Sequence, residues 1–180
     1  GITGLTPATT YYYCAIAQNS AGLSSGAVVS FTTPAPPVVN TTAASSLTNT
    51  SAQLNGAGTP NGSTTTGWFR YSFTNPGTCD DTFGSRAPTT GGTSLGSGYS
   101  PTSFSQPIYG LSQGTTYYYC AIASNAEGLA FGAVLSFTTP TTPGATTAAA
   151  TLVTANSATL NGAGDPNGDT AYGYFRYATV

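Results

Sequence analysis

Charge is what this chain of 180 residues has least of. Asp, Glu, Lys and Arg together make up 4% of it, against about 25% in an average soluble protein. Lysine, histidine and methionine are absent, and the basic residues are Arg70, Arg86 and Arg176. Each absence removes a class of function. Three arginines and a net charge of −2 cannot neutralise a phosphate backbone, so nucleic acid is excluded as a partner. Without histidine there is no imidazole for a catalytic triad or for most general-base designs. The acids are Asp80, Asp81, Glu127, Asp165 and Asp169. Asp80 and Asp81 are adjacent, whereas a glycosidase pair flanks its bond from two sides. Three cysteines without a histidine make a poor zinc set. The chain therefore reads as a non-enzyme with no metal and no cofactor. No apolar run approaches the roughly 20 residues that span a bilayer. There is no visible signal peptide and no initial Met, which suggests a mature product or a window cut from something longer.

What is present suffices for a core, since 39% of residues are hydrophobic and wholesale disorder needs far fewer. The remainder is largely Thr, Ser, Gly, Ala, Asn and Tyr. A surface with so little charge resists aggregation poorly. Attached sugars or an ordered assembly would supply the solubility, and both point outside the cell.

The strongest signal is repetition. "TTYYYCAIA" stands at Thr9–Ala17 and again at Thr115–Ala123, an offset of 106 positions. The same offset relates Ser51–Gly62 to Ser157–Gly168, Trp68–Tyr71 to Tyr174–Tyr177, and Gly26–Pro34 to Gly132–Pro140. Internal similarity at a domain-sized period marks repeated units. "SFTTP" closes a unit, because an aperiodic Pro/Thr/Ala stretch follows it both times. Residues 1–34 are then the back of one unit, 35–140 a complete unit, and 141–180 the front of a third.

Helix signals are nearly absent. Short apolar-rich runs bounded by Gly, Pro and Asn predict strands near Val38–Ala44, Ser51–Ala57, Thr66–Phe73, Ser103–Tyr109, Thr115–Asn125 and Gly132–Thr138. "TPNG" and "DPNG" are turn chemistry, with Pro fixing φ and Asn-Gly accepting positive φ. Many short antiparallel strands argue for an all-β chain of β-sandwiches.

Leu5–Tyr11, "LTPATTY", resembles the corner of fibronectin type III domains, leucine–x–proline–x–threonine–x–tyrosine. The second copy, Leu111–Tyr117, keeps Leu111, Thr115 and Tyr117 but has Gln113 in place of the proline. "YYYCAIAQNSAG" and "YYYCAIASNAEG" are similar to the family's sixth strand and following turn, and "GAVVSFTTP" to its seventh strand. The front half resembles versions found in tandem arrays of bacterial secreted and surface proteins. The likeness spans nearly everything except Asn75–Ser100. It implies tandem immunoglobulin-like sandwiches, and it implies that Tyr11 and Tyr117 donate their hydroxyls to the chain upstream. It says little about activity.

The resemblance also makes the third and sixth strands neighbours. If Tyr117 faces the core, so do Tyr119, Ala121 and Ala123, leaving Tyr118, Cys120 and Ile122 on the other face. Such an apolar row needs a cover. The Gly/Ser/Thr-rich segment Asn75–Ser100 is too long for a plain hairpin loop and leaves the third strand. Folded back over the sixth, it would place Cys79 on Cys120 as a disulfide and Phe83 beside Ile122. Two free thiols or metal ligation are the alternatives. The mate of Cys14 would fall before residue 1, outside this window, and an intermolecular bridge is the competing explanation. Disulfides imply an oxidising compartment.

Smaller candidates remain. Asn40, Asn49 and Asn61 begin glycosylation sequons. Trp68 is a candidate for stacking on a sugar ring, with core packing as the alternative. Asp165–Asn167–Asp169 has the spacing of a calcium loop but lacks its glycine and glutamate, and a turn explains it. Arg70 and Arg176 occupy equivalent positions suited to an acid across the sheet. Three functions fit. The first is a structural component of an extracellular fibre, sheath or stalk whose partners are copies of itself. The second is a cell-surface adhesin, glycan-binding or spacer module of a larger secreted protein. The third is an accessory array in a secreted hydrolase.

Overall fold

A computed structural model describes residues 1–179. Every strand pairing in it is antiparallel, and no helix occurs among the described residues. Two small hairpins come first: β1 (Thr10–Tyr13) pairs with β4 (Val29–Thr32), and β2 (Ile16–Asn19) with β3 (Gly22–Ser25). Nine strands follow between residues 38 and 138: β5 (Val38–Ser45), β6 (Ser51–Thr59), β7 (Thr65–Ser72), β8 (Ser85–Ala87), β9 (Thr93–Gly96), β10 (Thr102–Tyr109), β11 (Thr116–Asn125), β12 (Gly128–Phe131) and β13 (Leu135–Thr138). A hairpin of β14 (Gly144–Thr151) and β15 (Thr159–Asp165) comes last.

The nine central strands form two sheets around one core. The first has the order β10-β6-β5. β6 alternates strictly: Ala52, Leu54, Gly56 and Gly58 are buried, and the residues between them are half-exposed. That period-2 pattern is what one wet and one dry face require. The second sheet has the order β12-β11-β7-β8, with β13 also on β11 and β9 also on β7. Leu54, Phe69, Phe104, Ile108, Tyr117 and Tyr119 fill the space between the sheets, with the Phe69 and Phe104 ring centroids 4.9 Å apart. The sheets approach tightly at Gly56, where a Cβ would lie 2.9 Å from the Cβ of Ala121. Here glycine serves close packing.

Side-chain hydrogen bonds finish the frame, and they recur at the 106-residue offset. A register shift interrupts β5 between Thr42 and Ser45. The Asn55 amide fills the gap, donating to the Ala43 carbonyl at 2.8 Å and the Ser45 hydroxyl at 3.0 Å. Asn161 does the same to Ala149 and Thr151 at 2.8 and 3.0 Å. Such a bulge would otherwise leave ladder groups unpaired. Thr139 donates to the Ser112 carbonyl at 2.7 Å and accepts from the Thr115 N–H at 3.0 Å; Thr33 repeats this with Thr6 and Thr9 at 2.6 and 3.0 Å.

Three expectations change. The corner hydroxyls accept rather than donate: the Ser112 N–H points to Tyr117 Oη at 3.0 Å, and the Thr6 N–H to Tyr11 Oη at 2.9 Å. Those N–H groups have no ladder partner, so the phenol serves them. The strand expected over Gly132–Thr138 is only Leu135–Thr138, β13, because the Gly132 N–H turns onto the Ala121 carbonyl at 2.9 Å, and a separate strand, β12, precedes it. The Asn75–Ser100 segment is not all loop, since β8 and β9 both add to the outer edge of β7.

Candidate functional site

The most elaborate chemistry lies on the outer face of the second sheet. β11 alternates as its sequence requires. Tyr117, Tyr119, Ala121 and Ala123 point into the main core, while Cys120 and Ile122 join Trp68 of β7 in a second, separate cluster. The 75–100 segment closes over this cluster, contributing Cys79 and Phe83, and Val134 flanks it.

A disulfide joins Cys79 to Cys120, with Cα atoms 6.0 Å apart and 41 positions between them in sequence. Cys120 and Ile122 are completely buried. The bond thus pins the flap at the centre of the sheet.

An electrostatic clasp holds the flap a few residues further on. Asp81 Oδ1 accepts from Trp68 Nε1 at 2.8 Å and from Arg70 Nε at 2.8 Å. Arg70 also donates to the Asp81 carbonyl. The Arg86 guanidinium lies 4.7 Å over the Trp68 ring, a cation–π contact. It also donates to the Pro88 carbonyl at 2.7 Å and to the Gly91 carbonyl. Asp80 folds the flap locally: its Oδ1 accepts from the Thr82 hydroxyl and N–H, each at 2.7 Å, and from the Phe83 N–H at 3.0 Å. The Thr82 hydroxyl foremost, then these two N–H groups, hold its carboxyl below the usual carboxylate value.

This arrangement consumes its own functional groups. Trp68, Arg70, Asp81 and Arg86 are each engaged by another part of the same unit. Trp68 is only 7% exposed, with Arg86 over its ring, so of its two readings the structure shows packing rather than an open sugar platform. Arg70 has the acid partner expected across the sheet, supplied by the flap rather than by a strand. Arg176 instead lies 6.0 Å from the centre of the Tyr174 ring.

The other candidates are dispersed. Asn40 and Asn49 are exposed. Asn61 sits at positive φ in the β6–β7 turn, and its amide nitrogen donates to the Pro36 carbonyl at 2.8 Å. That bond gives Asn61 a structural role in the turn. Asn167 makes the equivalent bond to Thr142 at 2.7 Å. Asp165 caps its turn by accepting from the Asn167 N–H at 3.0 Å. Cys14 is free and exposed. No set of three metal-ligating side chains occurs among the described residues.

Sequence reasoning missed Asp81, Arg86, Asn55 and Thr139. For Asn55 and Thr139 a signal existed, since both recur at the repeat offset, as Asn161 and Thr33. Asp81 and Arg86 have no second copy in the chain and announce themselves only by position.

No family model matches the chain, and no curated protein does. Among solved structures it is similar to the sensor domain of the anti-sigma factor RsgI4 of Pseudobacteroides cellulosolvens. The long form of that domain gives 21% identity and a TM-score of 0.37, covering 56% of this chain and 86% of that one. The short form gives 22% identity and a TM-score of 0.39, covering 58% and 95%. Among the described residues no helix is long and apolar enough to cross a membrane. A disulfide is compatible with extracellular placement.

Proposed function

We propose that the chain is a stretch of tandem fibronectin type III-like β-sandwiches, in units 1–34, 35–140 and 141–180, that builds an extracellular fibre, sheath or stalk. One observation carries this reading: the charged and aromatic cluster of Trp68, Arg70, Asp81 and Arg86 is spent inside the unit, holding a flap shut over a disulfide. Nothing in that cluster is left to meet a substrate. A unit sealed twice, by a covalent bond and by the Asp81 clasp, suits a durable passive material. The turn clamps of Asn61 and Asn167 act on the linkers entering successive units, which favours a regular array over beads on a loose string.

Electron microscopy of the native material tests this. Filaments with an axial repeat of about 30–40 Å are expected, because the ten-residue β11 spans about 33 Å. Dispersed single molecules in native material would overturn it. A second reading, a glycan-binding or adhesive surface module, draws on the outward rings of Phe73 and Tyr109, 72% and 74% exposed. Glycan binding lost on Tyr109→Ala would favour that reading.

A further inference from the structure

The two sheets of the 35–140 unit present very different outer faces. That of the second sheet lies under the flap. That of the first sheet, β10-β6-β5, is exposed or half-exposed along its outward positions. All the charged residues of the unit, Arg70, Asp80, Asp81, Arg86 and Glu127, lie outside β5, β6 and β10. Strand register sets the outward side chains of the first sheet in rows. Ser103 lies beside Ala57, Ser105 and Thr42 flank Asn55, Pro107 lies beside Gln53, and Tyr109 beside Ser51. A shallow open trough of about 400 Å³ crosses this face, lined by Thr42, Asn55, Ala57, Ser103 and Ser105. Two of its polar groups are already oriented by neighbours. Gln53 Nε2 donates to the Ser105 hydroxyl at 2.6 Å, which leaves that hydroxyl its own hydrogen to give. Asn55 Nδ2 donates to the Ala43 carbonyl and the Ser45 hydroxyl, which leaves the side-chain carbonyl to accept. On the same face, four residues along β10 from Ser105 and so about 14 Å away, stands the Tyr109 ring, 74% exposed.

We propose that this trough binds an uncharged polysaccharide chain, laid along β10 with one ring stacked on Tyr109. The chemistry of the face selects the ligand. A charged polymer finds no opposite charge on these three strands, and its own groups would lose hydration without return. An apolar peptide segment finds hydroxyls and amides where it would need a greasy floor. A second copy of the same face would have to dry two layers of hydroxyls against one another, each at a cost unless paired. A neutral sugar chain brings hydroxyls that both give and accept, matching Ser103, Ser105, Thr42 and the Asn55 carbonyl, and its ring faces suit an exposed phenol ring. Ala57 supplies the depth, since any longer side chain on β6 at that point would fill the trough. The site gives the second reading above a definite face, on which it rests, and it stands apart from the fibre reading.

The test is depletion binding of the full chain to beads carrying hydroxyethylcellulose, galactomannan, mannan or dextran, with polygalacturonate and heparin beads as charged comparators. At least one neutral polymer should bind and neither charged one should. Binding should persist at about 0.5 M salt, because no ion pair is involved. Tyr109→Ala should weaken it about tenfold through the lost stacking. Ala57→Arg, which fills the trough from a half-exposed position, should abolish it with the melting temperature unchanged. Phe73→Ala removes a ring 72% exposed that lies outside the first sheet, and should leave binding intact. Failure of all four neutral polymers to bind, or binding that salt removes, would overturn the site. A neutral polymer that binds wild type, Tyr109→Ala and Ala57→Arg alike but not Phe73→Ala would keep a glycan-binding module and reject this face. A concentration-dependent dimer of the free chain, abolished by Ala57→Arg, would assign the face to a second copy and overturn the proposal. Native filaments are a separate observable: their absence would reject the fibre and leave a trough-dependent polysaccharide site standing.

Discussion

Breaking the Cys79–Cys120 bond is the sharpest test of how the unit is held together. The bond closes 41 positions of chain, for which the chain-entropy relation gives about 4 kcal/mol of stabilisation at 25 °C. A unit of this size loses roughly 0.2 kcal/mol per kelvin in unfolding entropy, so 4 kcal/mol corresponds to a fall in Tm of about 15–20 °C. The local effect is distinct. Trp68 is the only tryptophan and is buried beneath the flap, so its emission reports flap closure directly. Cys79→Ala/Cys120→Ala and the reduced wild type are compared with the oxidised wild type, by thermal melting and by tryptophan emission. The expected result is the stated fall in Tm, with emission shifted to the red well below the main transition. Reduced wild type and double variant should agree closely, because both remove the same tether. A fall below about 5 °C, roughly 1 kcal/mol, with emission unchanged until global melting would refute the reasoning. The Asp81 clasp alone would then be holding the flap.

Three further outcomes follow from named contacts. Asp81→Ala strands Trp68 Nε1 and Arg70 Nε, both of which donate to Asp81 Oδ1 at 2.8 Å; it should cost about 1–3 kcal/mol in denaturant unfolding, with Asp81→Asn costing less by keeping an acceptor. Gly56→Ala puts a methyl 2.9 Å from the Ala121 Cβ and 3.1 Å from the Asn40 carbonyl, and the forced separation of the sheets should cost about 1–3 kcal/mol. Asp80 ionises below its unfolded value near 3.9, chiefly through the Thr82 hydroxyl. Its contribution is therefore complete above that value and disappears as pH falls through the lower folded one. An acid titration followed by Trp68 emission should show flap opening below about pH 4, and Asp80→Asn should flatten that step.

Much of the architecture was legible because β-structure writes itself with period two. The alternation in Thr115–Asn125 separates Tyr119 from Cys120, and the structure places them in two different cores. The turn residues marked where β6 ends. The flap was legible only as an unusual segment. Its Gly/Ser/Thr composition carries no periodicity, so β8 and β9 were invisible. Their pairing is dictated by the free edge of β7, which exists only once the sheet has formed. Trp68 was left between sugar stacking and packing for a related reason: only the segment folded above an outward strand position decides between them.

By itself the sequence determined the class of structure and the faces of each strand. Those are local properties, set by side-chain type and by the two-residue repeat of an extended backbone. Tertiary structure alone decided that Asp81 meets Trp68 and Arg70, that Arg86 covers the indole, and that the phenol of Tyr117 accepts a hydrogen bond rather than giving one. Each of these joins groups whose pairing depends on how a long, aperiodic loop closes or on which backbone N–H a turn leaves unpaired. Such distances come from chain closure in three dimensions, and no pattern along the chain encodes them.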